Sequence, residues 1–410
     1  MSASFGYQSY LYFFDLLCSL FILLPCYYAI PGMKGRRALL TAAGVYLLYF
    51  VAPRLAFFYL VFWTVTFFIH RHAFADGKAR SGAEKSLAVV ALACLPVIVL
   101  PLVFWKVMGE SFVYPFSFYT DAALPWLSNR LWQIDICAPL VLPLGLSFST
   151  FRAVDLIIKT ALGKVTGLSL NDVLFYGLFP PVQMVGPIIE YEEIEKGDAR
   201  PDPESILEGL LCIAAGFFKV FALATLLEDN TRIFAAPAAF SAPVLWLRLV
   251  GYSWYFYLNF AGYSDMAIGT ARLFGFRLKD NFNFPFFSRN IAEFWNSWHM
   301  SLSRWAQRNV FVPCGGYRLK TQYTALFLTM LAIAMWHDIS LSMLVFALVQ
   351  FTALALHRRR AGKPAPAVAR LGRAGGIAIT YLTILLCFPL LVLGLAKALG
   401  FYAALFGAGS

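Results

Sequence analysis

The sequence predicts an all-α protein that crosses a membrane several times, and three observations support this fold class. Hydrophobic residues make up 60% of the 410-residue chain and charged residues only 13%, whereas soluble domains carry about 25% charged residues. Several apolar runs reach the roughly 20 residues that an α-helix needs to span a bilayer. The alternation of apolar and polar residues that is typical of a membrane β-barrel is not found.

The apolar runs predict roughly nine to eleven membrane-spanning or re-entrant helices. Four runs are long and continuous, at 10–30, 87–105, 206–227 and 377–399. Others are shorter or interrupted, at 55–69, 140–158, 244–274, 324–336 and 341–356. The first run has neither the basic start nor the cleavage site of a signal peptide, so we expect it to be retained as a helix.

Prolines and glycines interrupt the apolar segments in the middle of the chain. "CAPLVLPLGLSFSTFRAVD" contains two prolines and a glycine, and "YGLFPPVQMVGPIIE" contains three prolines and two glycines. Broken helices are tolerated in a membrane only where protein or a water-filled cavity surrounds them. We therefore expect three regions: N-terminal helices at 1–85, a core at 86–340 that lines a cavity or funnel, and C-terminal helices at 341–410.

The distribution of charge indicates a membrane orientation and not a nucleic-acid partner. The formal net charge is +11, and the basic residues cluster in short loops, which the positive-inside rule places in the cytoplasm. These residues are Lys34, Arg36, Arg37, Arg71, Lys78, Arg80, Lys85, Arg358, Arg359, Arg360, Lys363, Arg370 and Arg373. The lipid bilayer is therefore the expected partner of this charge, and the expected location is the cell membrane. The seven cysteines show no metal-binding spacing, so no metal site is predicted.

Two segments place a histidine beside a tryptophan. In "FWNSWHMSLSRW", a helix would bring Trp295, Trp298, His299 and Leu302 to one face, with Ser303 four residues after His299 and near its ring. In "LTMLAIAMWHDISLSMLVFAL", Trp336, His337 and Asp338 interrupt a long apolar run. A neutral imidazole in such a place is an available base at neutral pH. This pattern suggests general-base chemistry that a substrate reaches through a tunnel.

Asp265 is a further candidate, because a carboxylate inside an apolar, aromatic segment is costly and marks a functional site by default. The alternative is a polar residue that a neighbouring helix satisfies. Other chemistries lack their motifs: no zinc-protease HExxH, nucleophile elbow, phosphate-binding loop or dinucleotide fingerprint occurs. A transporter with broken helices and a membrane scaffold remain alternatives, although no internal repeat is found.

The central motifs resemble the membrane-bound O-acyltransferase family, and in particular its bacterial branch of alginate O-acetyltransferases and D-alanyl transfer proteins. The residues that carry the resemblance are "LPLGLSFSTFRAVDLI", "FPPVQMVGPI", "GYSDMAIGTARLFGFRLKDNFNFPFFSRNIAEFWNSWHMSLSRW", "VFVPCGG" and "MWHD", in this order over residues 143–337. Three positions depart from the family pattern. Ser297 stands in place of an arginine, Gln307 and Arg308 in place of an Arg-Asp pair, and Asp338 in place of a glycine.

The resemblance implies a ring of helices around a thin core, with a funnel opening on each face. It implies that His337 is the catalytic base and that His299 is the second site residue. It also implies that an acetyl or D-alanyl group moves from a cytoplasmic thioester to a hydroxyl of an extracytoplasmic glycopolymer. Trp298, Asn296, Trp336, Ser303, Asp338 and Asp265 are the expected substrate-binding residues. No bound cofactor is expected. The expected partners are a carrier protein or CoA as acyl donor on the cytoplasmic face, and an acceptor or partner acyltransferase on the other. Cys314 as a covalent thioester carrier is a minor alternative.

Overall fold

A computed structural model describes residues 7–51, 53–73, 92, 95–108, 145–195, 202–360 and 372–407. Across these residues the regular structure is helical, and no strand occurs among them. The predicted all-α class is therefore confirmed. The apolar runs at 87–105 and 140–158 lie partly outside the described residues, and the division into three regions stays a prediction.

Most of the long described helices overlap the predicted apolar runs, but the helix at Met33–Val51 lies in none of them. In chain order, the described α-helices of five or more residues are α1 (Tyr7–Ala29), α2 (Met33–Val51), α3 (Pro53–Ala73), α4 (Leu95–Met108), α5 (Leu146–Ala161), α6 (Leu170–Gly177), α7 (Tyr191–Glu195), α8 (Pro203–Phe217), α9 (Ala242–Leu273), α10 (Ile291–Trp295), α11 (Met300–Ala306), α12 (Gln322–His337), α13 (Leu341–Arg359), α14 (Gly372–Leu385), α15 (Phe388–Val392) and α16 (Leu395–Leu405). Two π-helical turns, Phe218–Ala224 and Gln307–Phe311, extend α8 and α11.

Five helical stretches in the described part of the chain are long and apolar enough to cross a membrane. They are Tyr12–Ala29, Leu55–His72, Pro203–Phe234, Leu341–Arg359 and Gly372–Val392. Together with the helical fold, they identify a polytopic membrane protein. The total number of spans stays a prediction, because the described ranges leave out parts of the sequence.

Glycines bring α8 and α9 into close contact along their length. An added Cβ at Gly216 would lie 2.5 Å from the Gly262 carbonyl oxygen, and one at Gly269 would lie 2.5 Å from the Gly209 carbonyl oxygen. The two glycines of each helix are seven residues apart and so share a face. Small residues let membrane helices approach until their backbones touch. The long helix α9, which leads into the site, is therefore held by direct backbone packing.

Basic residues gather at one face of the molecule, which we call the basic face and define by Arg37, Arg71 and Arg358. Arg37, near the start of α2, pairs with Asp172 at 3.4 Å. Arg71 closes α3, which runs back from the far end of α2. Arg358, in the last turn of α13, donates to the Gly316 carbonyl at 3.2 Å. The chain thus returns to the same face before α2 and after α3. Arg358 also packs over Phe311 of the π turn after α11, and Arg308 of that turn binds Asp155 on α5. The positive-inside pattern predicts that such a face is cytoplasmic.

Candidate active site

His299 lies at a break between two short helices. Asn290 caps α10, since its side-chain oxygen accepts from the Glu293 amide at 2.9 Å. The helix ends at Trp295, and His299 adopts a left-handed conformation (φ 42°, ψ 53°) directly before α11. The prediction of one helix with Trp295, Trp298, His299 and Leu302 on a single face was therefore wrong. A positive φ is unusual for any residue other than glycine and is associated with functional sites.

A polar cluster from four segments holds the Nδ1 side of the His299 ring. Nδ1 lies 3.2 Å from Asn281 Oδ1 and 3.3 Å from Ser301 Oγ. Asn281 donates through Nδ2 to Ser264 Oγ at 3.0 Å, which ties the cluster to α9. Ser301 Oγ accepts from the Ile188 amide at 2.9 Å. Neither Asn281 nor Ser301 was predicted as a site residue.

Aromatic rings surround the rest of the imidazole, which is only 1% exposed. Its ring centroid lies 4.7 Å from Phe260, 6.3 Å from Phe148 and 6.4 Å from Phe282. Trp336 packs against it edge to face with centroids 5.9 Å apart. An apolar enclosure of this kind disfavours a charged imidazolium.

Trp336 connects the two histidines. Its ring lies 4.4 Å from the ring of His337, the last residue of α12, as well as 5.9 Å from His299. His337 is half-buried, and the helix ends there because Asp338 takes an extended conformation (φ −162°, ψ 146°). The structure thus brings together His299, Trp336 and His337, three of the predicted site residues.

The histidines lie deep between the two faces. Phe148, which contacts both His299 and Trp336, starts α5, and that helix ends beside His70, whose Nδ1 lies 2.7 Å from Thr160 Oγ1. The 12 residues from Phe148 to Thr160 correspond to about 18 Å of helix. Since the hydrocarbon core of a bilayer is about 30 Å thick, this length predicts a site near the middle of the membrane.

The remaining predicted residues are held by other parts of the structure. Ser303 donates to the Trp295 carbonyl at 2.9 Å, so Ser301 makes the ring contact predicted for Ser303. Trp298 stacks on Phe256 and Phe294, with centroids 6.0 and 5.6 Å apart, one ring away from His299. The side chain of Asn296 is exposed.

Asp265 forms an ion pair with Lys219 on the π-helical extension of α8. The Asp265 backbone carbonyl also accepts from Cys212 Sγ at 3.2 Å. This pair joins the two glycine-packed helices, which matches the alternative reading of Asp265 as a polar residue satisfied by its neighbour. Its predicted role in substrate binding stays a prediction.

A network of charged side chains occupies the space between the histidines and the basic face. Asp155, 1% exposed, accepts from Arg308 Nε and Asn309 Nδ2, both at 2.8 Å. It also lies 3.1 Å from Lys159 Nζ. Lys159 donates to Glu190 at 2.8 Å, and Arg308 lies 3.1 Å from the same carboxylate. The network therefore joins α5, the segment before α7 and the π turn after α11.

Glu190 is held in its charged form by this network. Partial burial alone would raise the pKa of Glu190, but the hydrogen bond from Lys159 and the charges of Arg308, Lys159 and Lys279 outweigh it and lower the pKa to about 2. The sequence alone did not identify Asp155 and Arg308 as an ion pair. The signal available was Arg308 itself, which stands where the family pattern has an acidic residue.

The arrangement suits proton transfer and polar recognition in an apolar enclosure. Two histidines that share an aromatic neighbour can accept or donate a proton close to one reacting centre. Within the described ranges, no group of three His, Cys, Asp or Glu side chains is placed to hold a metal ion. Cys314 packs with Phe311, Ala325 and Leu326 in a separate cluster.

Comparisons with known proteins point to one family. The model of the MBOAT, membrane-bound O-acyltransferase family matches residues 146–360, just over half of the chain. The chain is 32% identical over 261 residues to a probable alginate O-acetylase of Pseudomonas aeruginosa, covering 62% of this chain and 49% of that protein. It is 30% identical over 295 residues to a peptidoglycan O-acetyltransferase of Helicobacter pylori, covering 62% and 55%.

A further relative has a different named substrate. The chain is 30% identical over 279 residues to a teichoic acid D-alanyltransferase of Streptococcus thermophilus, covering 60% of this chain and 67% of that protein. The chain spans about half the length of several of the curated relatives it matches. The matched family region contains His299, Trp336 and His337.

Proposed function

The chain belongs to the membrane-bound O-acyltransferase family, and from this premise we propose that it transfers a small acyl group from a cytoplasmic thioester to a hydroxyl of an extracytoplasmic glycopolymer. The observation that carries the proposal is the pair of histidines joined by Trp336, about 18 Å of helix from the basic face. A site near mid-membrane is accessible to a donor from one face and an acceptor from the other.

In the proposed reaction, His337 acts as general base. It removes the proton of the acceptor hydroxyl as that oxygen attacks the thioester carbonyl carbon. The carbon–sulfur bond then breaks, the thiolate leaves toward the cytoplasmic face and takes up a proton, and the ester leaves toward the other face. Transfer is direct and needs no covalent acyl-enzyme. His299 positions the donor beside Trp336.

Acetyl is the acyl group that the surroundings of His299 favour. Apart from the neutral Asn281 and Ser301 side chains at Nδ1, the groups packed on the His299 ring in the described part of the chain are aromatic. A D-alanyl group would bring an ammonium that is costly to bury without a partner. D-alanyl transfer is the second candidate, because a named D-alanyltransferase is 30% identical to this chain.

The proposed donor is a carrier protein or CoA at the basic face, and the proposed acceptor or partner acyltransferase lies at the opposite face. Both kinds of donor are anionic. Four basic residues, Arg37, Lys279, Arg304 and Arg308, are held in place by ion pairs or a hydrogen bond to acidic residues or their backbone, and we propose that they attract the donor. Complementary charge raises the rate of encounter with an acidic partner. The proposed location is the cell (inner) membrane, with several spans.

The activity is tested with purified protein in detergent and a radiolabelled acetyl thioester. We expect His337→Ala to lose about 10²–10⁴-fold in acyl transfer, the usual contribution of a general base, while the protein stays folded and membrane-inserted. Near-normal transfer by His337→Ala contradicts the assignment of the base. Mass spectrometry of the surface glycopolymers of a deletion strain then separates acetyl from alanyl loss, and no change in any ester contradicts the proposal.

A further inference from the structure

Two buried polar atoms at the site have no hydrogen-bond partner in the described part of the chain: His299 Nε2 and Trp336 Nε1. Buried polar atoms are almost always paired, so each exception calls for an explanation. The two rings that carry these atoms are neighbours, with centroids 5.9 Å apart, and His337 contacts the second of them. A ligand that enters the site is the natural partner of both atoms.

The neighbours of His299 fix which of its nitrogens carries the proton. The Ser301 backbone amide, which can only donate, lies 3.2 Å from the Asn281 side-chain atom assigned as oxygen. That atom must therefore be the oxygen, and the amide group of Asn281 cannot be turned around. The other end of the amide donates to Ser264 Oγ at 3.0 Å, which is consistent with the same orientation.

His299 Nδ1 then faces an acceptor. It lies 3.2 Å from Asn281 Oδ1, and two lone pairs at this distance would repel each other, so Nδ1 carries the hydrogen and donates. Ser301 Oγ directs its own hydrogen to the same oxygen at 2.8 Å and is not a donor to Nδ1. In a neutral imidazole only one nitrogen is protonated. Nε2 therefore presents a lone pair.

We infer that Asn281 and Ser301 hold His299 as the Nδ1–H tautomer, so that Nε2 accepts a hydrogen bond from the substrate while Trp336 Nε1–H is the donor that binds the developing oxyanion. An indole N–H donates only, which suits the negative oxygen of a tetrahedral intermediate. Asn281 acts through His299 and is a positioning residue. The assignment rests on the proposed acyl transfer. It gives His299 and Trp336 different roles, because Nε2 of this tautomer accepts a hydrogen bond and the indole N–H donates one.

The tautomer is measured by solid-state NMR of the substrate-free protein labelled with ¹⁵N-histidine in lipid bilayers. The spectrum of His299→Gln identifies the His299 signals by difference. We expect a protonated Nδ1 and an unprotonated Nε2 in the wild type, and a shift toward the Nε2–H tautomer in Asn281→Leu. Gln350→Leu is the matched control, because it removes another fully buried amide that bonds Trp295 and Cys387; it should leave the His299 signals unchanged. A wild-type Nε2–H or doubly protonated ring overturns the inference.

The donor role of Trp336 is measured by kinetics. Trp336→Phe keeps an aromatic ring but removes the N–H, and we expect kcat to fall about 10²–10³-fold, as for loss of an oxyanion donor, with KM nearly unchanged. Trp246 packs on Phe406 near the start of α9, away from the site. Trp246→Phe should therefore change neither constant. An unchanged kcat in Trp336→Phe overturns the donor assignment. Because the NMR experiment needs no turnover, an Nδ1–H tautomer in a protein without acyl transfer would contradict the proposed function and leave the tautomer standing.

Discussion

Glu190 is the residue at which the charged network meets the basic face, and its ionisation links stability to pH. The pKa of Glu190 is lowered from 4.5 to about 2, since Lys159, Arg308 and Lys279 outweigh the effect of burial. A carboxylate with a depressed pKa stabilises the fold above its unfolded pKa, and this contribution is lost as the pH falls toward the folded value. The stabilisation from Glu190 should therefore be complete above about pH 5 and disappear between about pH 4.5 and pH 2.

Glu190→Gln tests this linkage. At pH 7 we expect the variant to be less stable by on the order of 1–3 kcal/mol, because Lys159 and Arg308 lose part of their counter-charge in a partly buried place. The difference in melting temperature from wild type should shrink as the pH is lowered from 5 to 3. Glu208→Gln is the control, since its pair with Arg272 is about half exposed on the Glu208 side and such pairs contribute little. A Glu190→Gln deficit that is the same at every pH would rule out the linkage.

The two histidines could be predicted from sequence, but the residues that orient them could not. His299 and His337 stand out because each follows a tryptophan in an apolar setting. Asn281 lies 18 positions before His299 in a segment with no helical or strand period, and only the tertiary fold brings its amide to the ring. Ser301 and Ser303 are equivalent in the sequence pattern, and the left-handed turn at His299 selects Ser301.

At the scale of the helix, the break at residues 296–299 is the feature that pattern reading missed. The run "EFWNSWHMSLSRW" contains no proline or glycine, the usual signals of a helix end. The chain nevertheless leaves the helix because Asn283 donates its backbone amide to the Ser297 carbonyl at 2.9 Å, and Met300 donates to the Asn281 carbonyl at 2.9 Å. These long-range backbone contacts replace helical hydrogen bonds. They are not visible in local sequence preferences.

The packing of α8 against α9 gives a prediction at the same scale. A Cβ at Gly216 would lie 2.5 Å from the Gly262 carbonyl and 2.8 Å from the Met266 amide nitrogen, both backbone atoms that cannot move aside. We expect Gly216→Val to destabilise the protein by about 1–3 kcal/mol or more through overpacking. Thermal unfolding of the purified protein in detergent, followed by circular dichroism, measures the change.

Gly400→Ala is the matched control for this packing. Gly400 lies inside α16, and an added Cβ there meets no atom within 4 Å. Replacing a glycine inside a helix by alanine removes an entropic cost, so the variant should be more stable by about 0.5–1 kcal/mol. Equal effects of the two substitutions would show that close approach of α8 and α9 does not contribute to stability.

At the scale of the whole molecule, composition and hydropathy were sufficient for the fold class. Apolar runs at 206–227 and 377–399 correspond to the spans Pro203–Phe234 and Gly372–Val392, because a bilayer imposes the same length on every crossing helix. The long helix α9 was harder to define. Its sequence mixes tyrosine, serine, asparagine and aspartate with apolar residues. Three of these polar side chains, Ser253, Ser264 and Asp265, bind partners outside the helix: Tyr381, Asn281 and Lys219.

The orientation of the chain is a prediction that the two ends of one span can test. Pro203–Phe234 crosses from one face to the other. Its first end lies with the basic face, because Glu208 pairs with Arg272 near the end of α9, and the Leu273 carbonyl there accepts from Tyr28 beside the loop before α2. Its second end leads to the exposed turn at Ala238. Gly32, in the loop before α2, and Ala238 should therefore lie on opposite sides of the membrane.

Labelling of single introduced cysteines with a membrane-impermeant maleimide measures these positions. Gly32→Cys fits without a clash, because a Cβ there meets no atom within 4 Å. In a background without the native cysteines, Gly32→Cys should react only after the cells are permeabilised, since the positive-inside rule places the basic face in the cytoplasm. Ala238→Cys should react in intact cells. The reverse pattern would place the proposed donor side outside the cell, where an acyl thioester is not supplied. It would therefore contradict the proposed direction of transfer. The histidine pair and its proposed chemistry would not be affected.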